Sequence, residues 1–112
     1  MNTKQFVEHL VTLLDDKKAE DIVTLHVHDI TTVTDYMIIA SGNSGQQIKA
    51  LANYVHEEAK KVGVEILGME GTDNNEWVLV DLGTVIVHLM QPETRHYYEL
   101  EKLWDLKPSA SA

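Results

Sequence analysis

Three groups of residues in this chain have types and spacings that chemistry can use. The first is His-Val-His at 26–28, which places two imidazoles on one face of a strand. Such a pair suits a divalent metal, but a closed site needs a third ligand and a second shell. Asp35, His56 or Glu57 would have to be brought in by folding, since no local spacing supplies one. The second is Ser41–Gln47, SGNSGQQ, which follows an apolar run and opens a helical pattern. Free backbone N–H groups at such a junction can hold an anion. However, the segment lacks the P-loop lysine and does not match GxGxxG. A strand-to-helix turn also needs glycine and a serine cap on its own account. The third is Glu76–Gln91, EWVLVDLGTVIVHLMQ, where Trp77, Asp81, His88 and Met90 are scattered through Val, Leu and Ile.

Catalytic arrangements find little support. Two-metal phosphoryl chemistry needs closely paired carboxylates, and no Asp-x-Asp or Asp-x-Glu lies on an apolar strand. Asp81 stands alone at a hairpin tip, and Asp35 and Glu70 are lone loop acids. With no cysteine and no Gly-x-Ser-x-Gly, the common nucleophile arrangements lack local support too. The residues predict no catalytic site, no metal site and no cofactor.

The elements that must position these residues follow from hydrophobic period and turn chemistry. Phe6, Val7, Leu10, Val11, Leu13 and Leu14 form a helical stripe over residues 3–16, with Thr3 as the expected cap. Asp21–Ile30 alternates and is rich in β-branched residues, so it reads as a strand. Tyr36–Ser41 is a nearly continuous apolar run, as in a strand buried on both faces. Ile48, Leu51, Ala52, Val55, Ala59 and Val62 then mark one face of a helix. Ser44 and Gln47 fit a capping box at its start, and Gly63 fits a left-handed residue at its end. Val64–Gly68 resumes a short strand, which predicts a parallel pair with Tyr36–Ser41 through a right-handed crossover. Pro92 suits the first position of a last helix running through ETRHYYELEKLW. The tail PSASA is expected to fray. The expectation is one α/β domain with a mixed sheet of about five strands flanked by helices.

In the hairpin, a turn at Leu82-Gly83 would set Asp81 against Thr84, Leu79 against Ile86, Trp77 against His88 and Asn75 against Met90. Side chains alternate across a sheet. One face then collects Val78, Val80, Val85, Val87 and Leu89, and the other Trp77, Leu79, Asp81, Thr84, Ile86, His88 and Met90. The first is aliphatic core. The second is either covered by a helix or offered to a partner, because Trp and Met are enriched where proteins meet.

Totals narrow the class of partner. The chain has 112 residues, enough for one domain that buries roughly two-thirds of its unfolded surface. Nine Lys and Arg against 18 Asp and Glu give a net charge of −9. Phosphate backbones are bound mainly through cationic side chains, so little direct nucleic-acid binding is expected, whereas a basic protein would be steered toward this surface. No stretch approaches the roughly 18 apolar residues of a membrane span, and the N-terminus lacks the pattern of a signal peptide. The chain reads as cytoplasmic.

The segments TDYMIIASGNSGQQ, Glu70-Gly71 and WVLVDLGTVIVHLMQPETRHYYELEKLW resemble the ribosomal silencing factor family (RsfS, or Iojap-like proteins) from the first helix to Trp104. The resemblance implies a domain over residues 1–105 with a flexible tail at 106–112. It also implies a fold related to nucleotidyltransferases without their catalytic carboxylates. The implied function is a non-enzymatic translational repressor. It would bind large-subunit ribosomal protein fourteen on the intersubunit face and prevent the small subunit from joining when nutrients run low. Organellar relatives assist large-subunit assembly, and several members are homodimers in isolation. On that basis the face argument assigns apolar contacts to Trp77, Leu79, Ile86 and Met90 and charge to Asp81 and Glu93. Tyr97, Glu101 and Trp104 extend the surface. Two rival readings are a nucleotide-binding enzyme using Ser41–Gln47 and a Trp77 face that serves homodimerisation alone.

Overall fold

A computed structural model of the chain describes residues 2–29 and 31–99. The N-terminal apolar stripe forms helix α1 (Thr3–Asp16). Its cap is Asn2 rather than Thr3: the Asn2 carboxamide accepts the Gln5 N–H at 2.8 Å, and the Gln5 side chain accepts the Asn2 N–H at 3.0 Å. This reciprocal pair satisfies two N–H groups that the helix cannot bond internally. Strand β1 (Glu20–His26) is shorter than its alternating pattern predicts, and Ile30 lies outside the described residues. Strand β2 (Tyr36–Ser41) matches its apolar run residue for residue. Helix α2 (Gly45–Lys61) starts at Ser44, whose hydroxyl accepts the Gln47 N–H at 3.1 Å. The Gln47 side chain accepts from Asn43 N–H rather than Ser44, so only half of the expected capping box forms. Beyond it, Gly63 takes the left-handed φ of +78°.

The remaining strands are β3 (Gly68–Glu70), β4 (Trp77–Asp81) and β5 (Val85–Met90), followed by helix α3 (Pro92–Tyr98). They complete a five-stranded mixed sheet in the order β1-β2-β5-β4-β3. Strands β2 and β5 pair in parallel, and the other neighbours are antiparallel. This corrects the expected pairing of β2 with the strand that follows α2. β5 takes the place beside β2 because all six of its residues are buried, and only the sheet centre covers both faces of a strand. The 64–70 segment exposes Glu65, Leu67 and Glu70 and goes to the edge.

The hairpin register also differs from expectation. Trp77 pairs with Met90, Leu79 with His88 and Asp81 with Ile86. The turn residues are Gly83 and Thr84, not Leu82 and Gly83. Leu82 is buried and bonds through its N–H to the Val85 carbonyl at 2.9 Å. Gly83 adopts φ +84°, and the Thr84 N–H reaches back to the Leu82 carbonyl at 3.1 Å. That positive φ favours glycine at the bend. Pairing moves by two positions, an even number, so each side chain keeps its predicted face.

Helices α1 and α2 pack on the same face of the sheet. Phe6, Val7, Leu10 and Leu14 of α1 and Ile48, Leu51, Val55 and Ala59 of α2 meet Ile38, Val78, Val80, Val85, Val87 and Leu89. Each large aliphatic buried here contributes about 1.5–3 kcal/mol. A hydrogen bond between His9 and Glu58 ties the two helices together and holds the Glu58 carboxyl below its ordinary range. The opposite face carries a second, smaller cluster of Met37, Ile39 and Met90, flanked by Leu25 and Trp77.

Candidate interaction surface

The second sheet face owes its shape to the period of two in β4 and β5. Reading across the strands, it presents Leu25, then Met37, Ile39 and Ser41, then Ile86, His88 and Met90, then Trp77, Leu79 and Asp81. Its middle is closed: Met37, Ile39, Ser41, Ile86, His88 and Met90 are all buried. Its β4 flank is not. Trp77, Leu79 and Asp81 are each partly exposed.

At one end of this face α3 is anchored by a buried hydrogen bond. The Arg95 guanidinium donates through Nη1 to Ser41 Oγ at 2.8 Å. Pro92 begins the helix and Glu99 ends it in the left-handed conformation, with φ 48° and ψ 44°. Among the described residues the helix ends at Tyr98, and the rest of the predicted run lies outside them. The anchor sets Tyr98 against Trp77, ring centroids 4.9 Å apart, and Tyr97 edge-on to Tyr98 at 4.9 Å. Tyr97 is 79% exposed and Tyr98 55%. A shallow depression between Glu76, Glu93, His96 and these two rings continues the surface.

Beneath Trp77, its indole N–H donates to His88 Nδ1 at 3.0 Å. Burial lowers the His88 pKa from 6.5 to about 4, so the ring is neutral near pH 7. Asp81 has a local duty as well. Its Oδ1 accepts the Gly83 N–H at 2.9 Å and fixes the turn. At the other end of β4, Gly71 has φ +86°, and a Cβ there would meet the Trp77 carbonyl oxygen at 2.0 Å. The chain can approach Trp77 this closely only with glycine.

The structure thus brings Trp77, Leu79 and Asp81 onto one partly open flank and places Glu93 and Tyr97 on α3, both exposed. Ile86 and Met90 share that face but are 7% and 0% exposed, so they support the surface from beneath rather than form its outer layer. Glu101 and Trp104 lie outside the described residues. The residue pattern marks Ser41 only as part of the Ser41–Gln47 turn and does not single out Tyr98 or Arg95. Nothing in their local spacing marks them, because their contacts join segments distant in the chain. The sequence pattern sets His88 on this face directly opposite Trp77; the structure makes it a diagonal neighbour instead, hydrogen-bonded to the indole.

The other candidate groups resolve into structure. His26 stacks on Tyr36 at 4.5 Å, and His28 bonds Asp35 at 2.7 Å, which raises the His28 pKa. Among the described residues no three His, Asp or Glu side chains converge as metal ligands. In the Ser41–Gln47 turn, the Asn43 and Gln47 N–H groups are bonded within the turn and the Ser41 hydroxyl is held by Arg95. No helix among the described residues is long and apolar enough to cross a membrane.

Comparison with known proteins places this arrangement. The model of a family described as ribosomal silencing factor during starvation matches residues 1–112. The chain belongs to the ribosomal silencing factor family. It is 44% identical to the ribosomal silencing factor RsfS of Bacillus subtilis, covering 98% of this chain and 93% of that protein. A crystal structure of a Chromobacterium violaceum protein superposes with a TM-score of 0.91 at 43% identity, covering 94% of this chain and 88% of that one. The similarity extends to the mouse protein named mitochondrial assembly of ribosomal large subunit protein 1, at 38% identity over 90% of this chain and 46% of that protein. The α/β fold with a mixed five-stranded sheet is therefore that of RsfS structures, and the family's role is regulatory and tied to the ribosome.

Proposed function

We propose that this chain represses translation without chemistry of its own, by occupying the intersubunit face of the large ribosomal subunit. It binds there through ribosomal protein fourteen and excludes the small subunit, chiefly under nutrient limitation, in the cytoplasm. Trp77, Leu79 and Asp81 form the centre of the contact, Glu93 and Tyr97 extend it, and Ile86 and Met90 back it. Glu101 and Trp104 belong to the same proposed surface. A part in large-subunit biogenesis and a homodimer in isolation complete the reading, as does the assignment of residues 1–105 to the domain and 106–112 to a flexible tail.

The observation that carries this reading is the partly exposed flank of Trp77, Leu79 and Asp81 in a chain of this family. The net charge of −9 supports a basic protein partner over bare RNA. Steric exclusion needs only a firm hold at a crowded interface. The test is co-sedimentation with purified large subunits, followed by light scattering of subunit joining. Truncating a Trp anchor costs about 2 kcal/mol or more, roughly thirtyfold in Kd. Undiminished binding by Trp77→Ala would reject the contact site. Unimpaired joining at saturating protein would reject the mechanism.

A further inference from the structure

His88 sits at the middle of a strand whose six residues are all buried, and it is 5% exposed. A polar ring in such a place needs partners for its nitrogens. The Trp77 indole Nε1 lies 3.0 Å from His88 Nδ1. An indole N–H can only donate, so Nδ1 accepts, and the neutral imidazole carries its proton on Nε2. The two rings are tilted at 51° with centroids 5.9 Å apart, an arrangement set by the hydrogen bond rather than by stacking. On α3, the Tyr98 ring packs 4.9 Å from the indole. Trp77 is partly exposed, so a closed socket does not fix its orientation. Besides its packing on the Met37, Ile39 and Met90 cluster, two directional contacts orient it among the described residues, and of these the one to His88 comes from the sheet.

We infer that His88 is a positioning residue for the docking surface, its Nδ1 holding the Trp77 indole in the one orientation a partner meets. The inference rests on the reading of Trp77 as the anchor of the large-subunit contact. Preorganising an aromatic anchor raises affinity by removing the cost of ordering it on binding. The effect expected from one lost neutral hydrogen bond is about three- to tenfold in Kd.

The two substitutions that separate positioning from packing are His88→Asn and His88→Leu. Asn Oδ1 occupies the place of His Nδ1 and can accept the indole N–H, whereas Leu fills more volume but accepts nothing. Affinity for purified large subunits is measured for both, beside wild type and Trp77→Ala. Weak binding by His88→Leu with binding near wild type by His88→Asn supports positioning. Equal losses, or a greater loss in His88→Asn, mean that the imidazole only fills space and overturn the inference. If Trp77→Ala binds as wild type, the docking reading itself fails. If Trp77→Ala fails to bind and His88→Leu binds as wild type, docking stands and positioning falls. Should His88→Leu not fold, the wild-type tautomer decides. Nitrogen-15 correlation spectra showing the proton on Nε2, with a downfield Trp77 indole signal absent in Trp77→Phe, support the inference. A proton on Nδ1 overturns it.

Discussion

The Trp77 indole bonds His88 diagonally across the hairpin, at 3.0 Å, although Met90 stands directly opposite Trp77 and Leu79 opposite His88. A diagonal contact of this kind is within reach only of long and aromatic side chains. It joins the most buried strand of the sheet to its partly open flank. The interior and the proposed docking surface therefore share one bond, and perturbing either should register in the other.

The first consequence concerns pH. His88 has a folded pKa of about 4 against an ordinary 6.5. Below pH 6.5 the unfolded chain binds a proton that the folded chain refuses. The contribution of His88 is therefore fully present above about pH 6.5, is lost as pH falls toward 4, and changes little below that. The full loss is about 3 kcal/mol. Urea titrations of wild type and His88→Asn between pH 7 and 4.5 isolate this slope in their difference, since the carboxylates common to both cancel. A difference that stays flat would show that His88 is not refusing a proton in the folded state.

A second expectation concerns Gly71. Its φ of +86° and the 2.0 Å approach that a Cβ would make to the Trp77 carbonyl oppose any larger residue. Gly71→Ala must move the loop or the start of β4. The strain at the left-handed φ alone costs about 1 kcal/mol or more, and the backbone clash adds to it. A lowered urea midpoint is expected, with accelerated hydrogen exchange at the Trp77 and Val78 amides. Unchanged stability and exchange would mean that the loop adapts freely.

Helix α3 gives a third. A buried link from it to the sheet is the Arg95–Ser41 hydrogen bond at 2.8 Å. Ser41→Ala removes this acceptor from a buried guanidinium, and losing the bond costs about 1–3 kcal/mol. Because α3 is a short helix set at one end of the face, the loss should appear as local opening. Amides of 95–98 should exchange faster, while those of β2 and β5 stay protected. Uniform loss of protection would make this bond part of the global core instead.

Local pattern fixed much of this architecture. β2, α2 and the two faces of the hairpin were readable because period and buried runs determine them. The sequence puts the turn one residue early because Gly83 fits either the first or the second position of a two-residue loop. What decides is the burial of Leu82 and the Asp81–Gly83 hydrogen bond, neither visible locally. The face assignment survived because the resulting shift is even. Local pattern does not place β3, because strand–helix–strand adjacency in the chain does not require adjacency in the sheet, and the later, fully buried β5 lies beside β2. The closed middle of the second face was illegible for a related reason. Met90 and Ile86 alternate correctly toward that face, but period says nothing about what lies over it.

The sharpest test of the hairpin sets its two faces against each other. Leu89 and Leu79 lie on adjacent strands of one hairpin, yet Leu89 is fully buried against α1 and α2 and Leu79 is partly exposed on the other side. Leu89→Ala should lower stability by about 2–5 kcal/mol through lost burial and the cavity left behind. The fraction that remains folded should bind large subunits with nearly unchanged affinity. Leu79→Ala should do the reverse, with a stability loss well below that of Leu89→Ala and weakened binding. Chemical denaturation and a large-subunit binding curve on the same samples check both. If the two substitutions affect stability and binding in the same proportion, the division of the hairpin into a core face and a docking face is wrong, because binding would then be reporting only how much protein is folded.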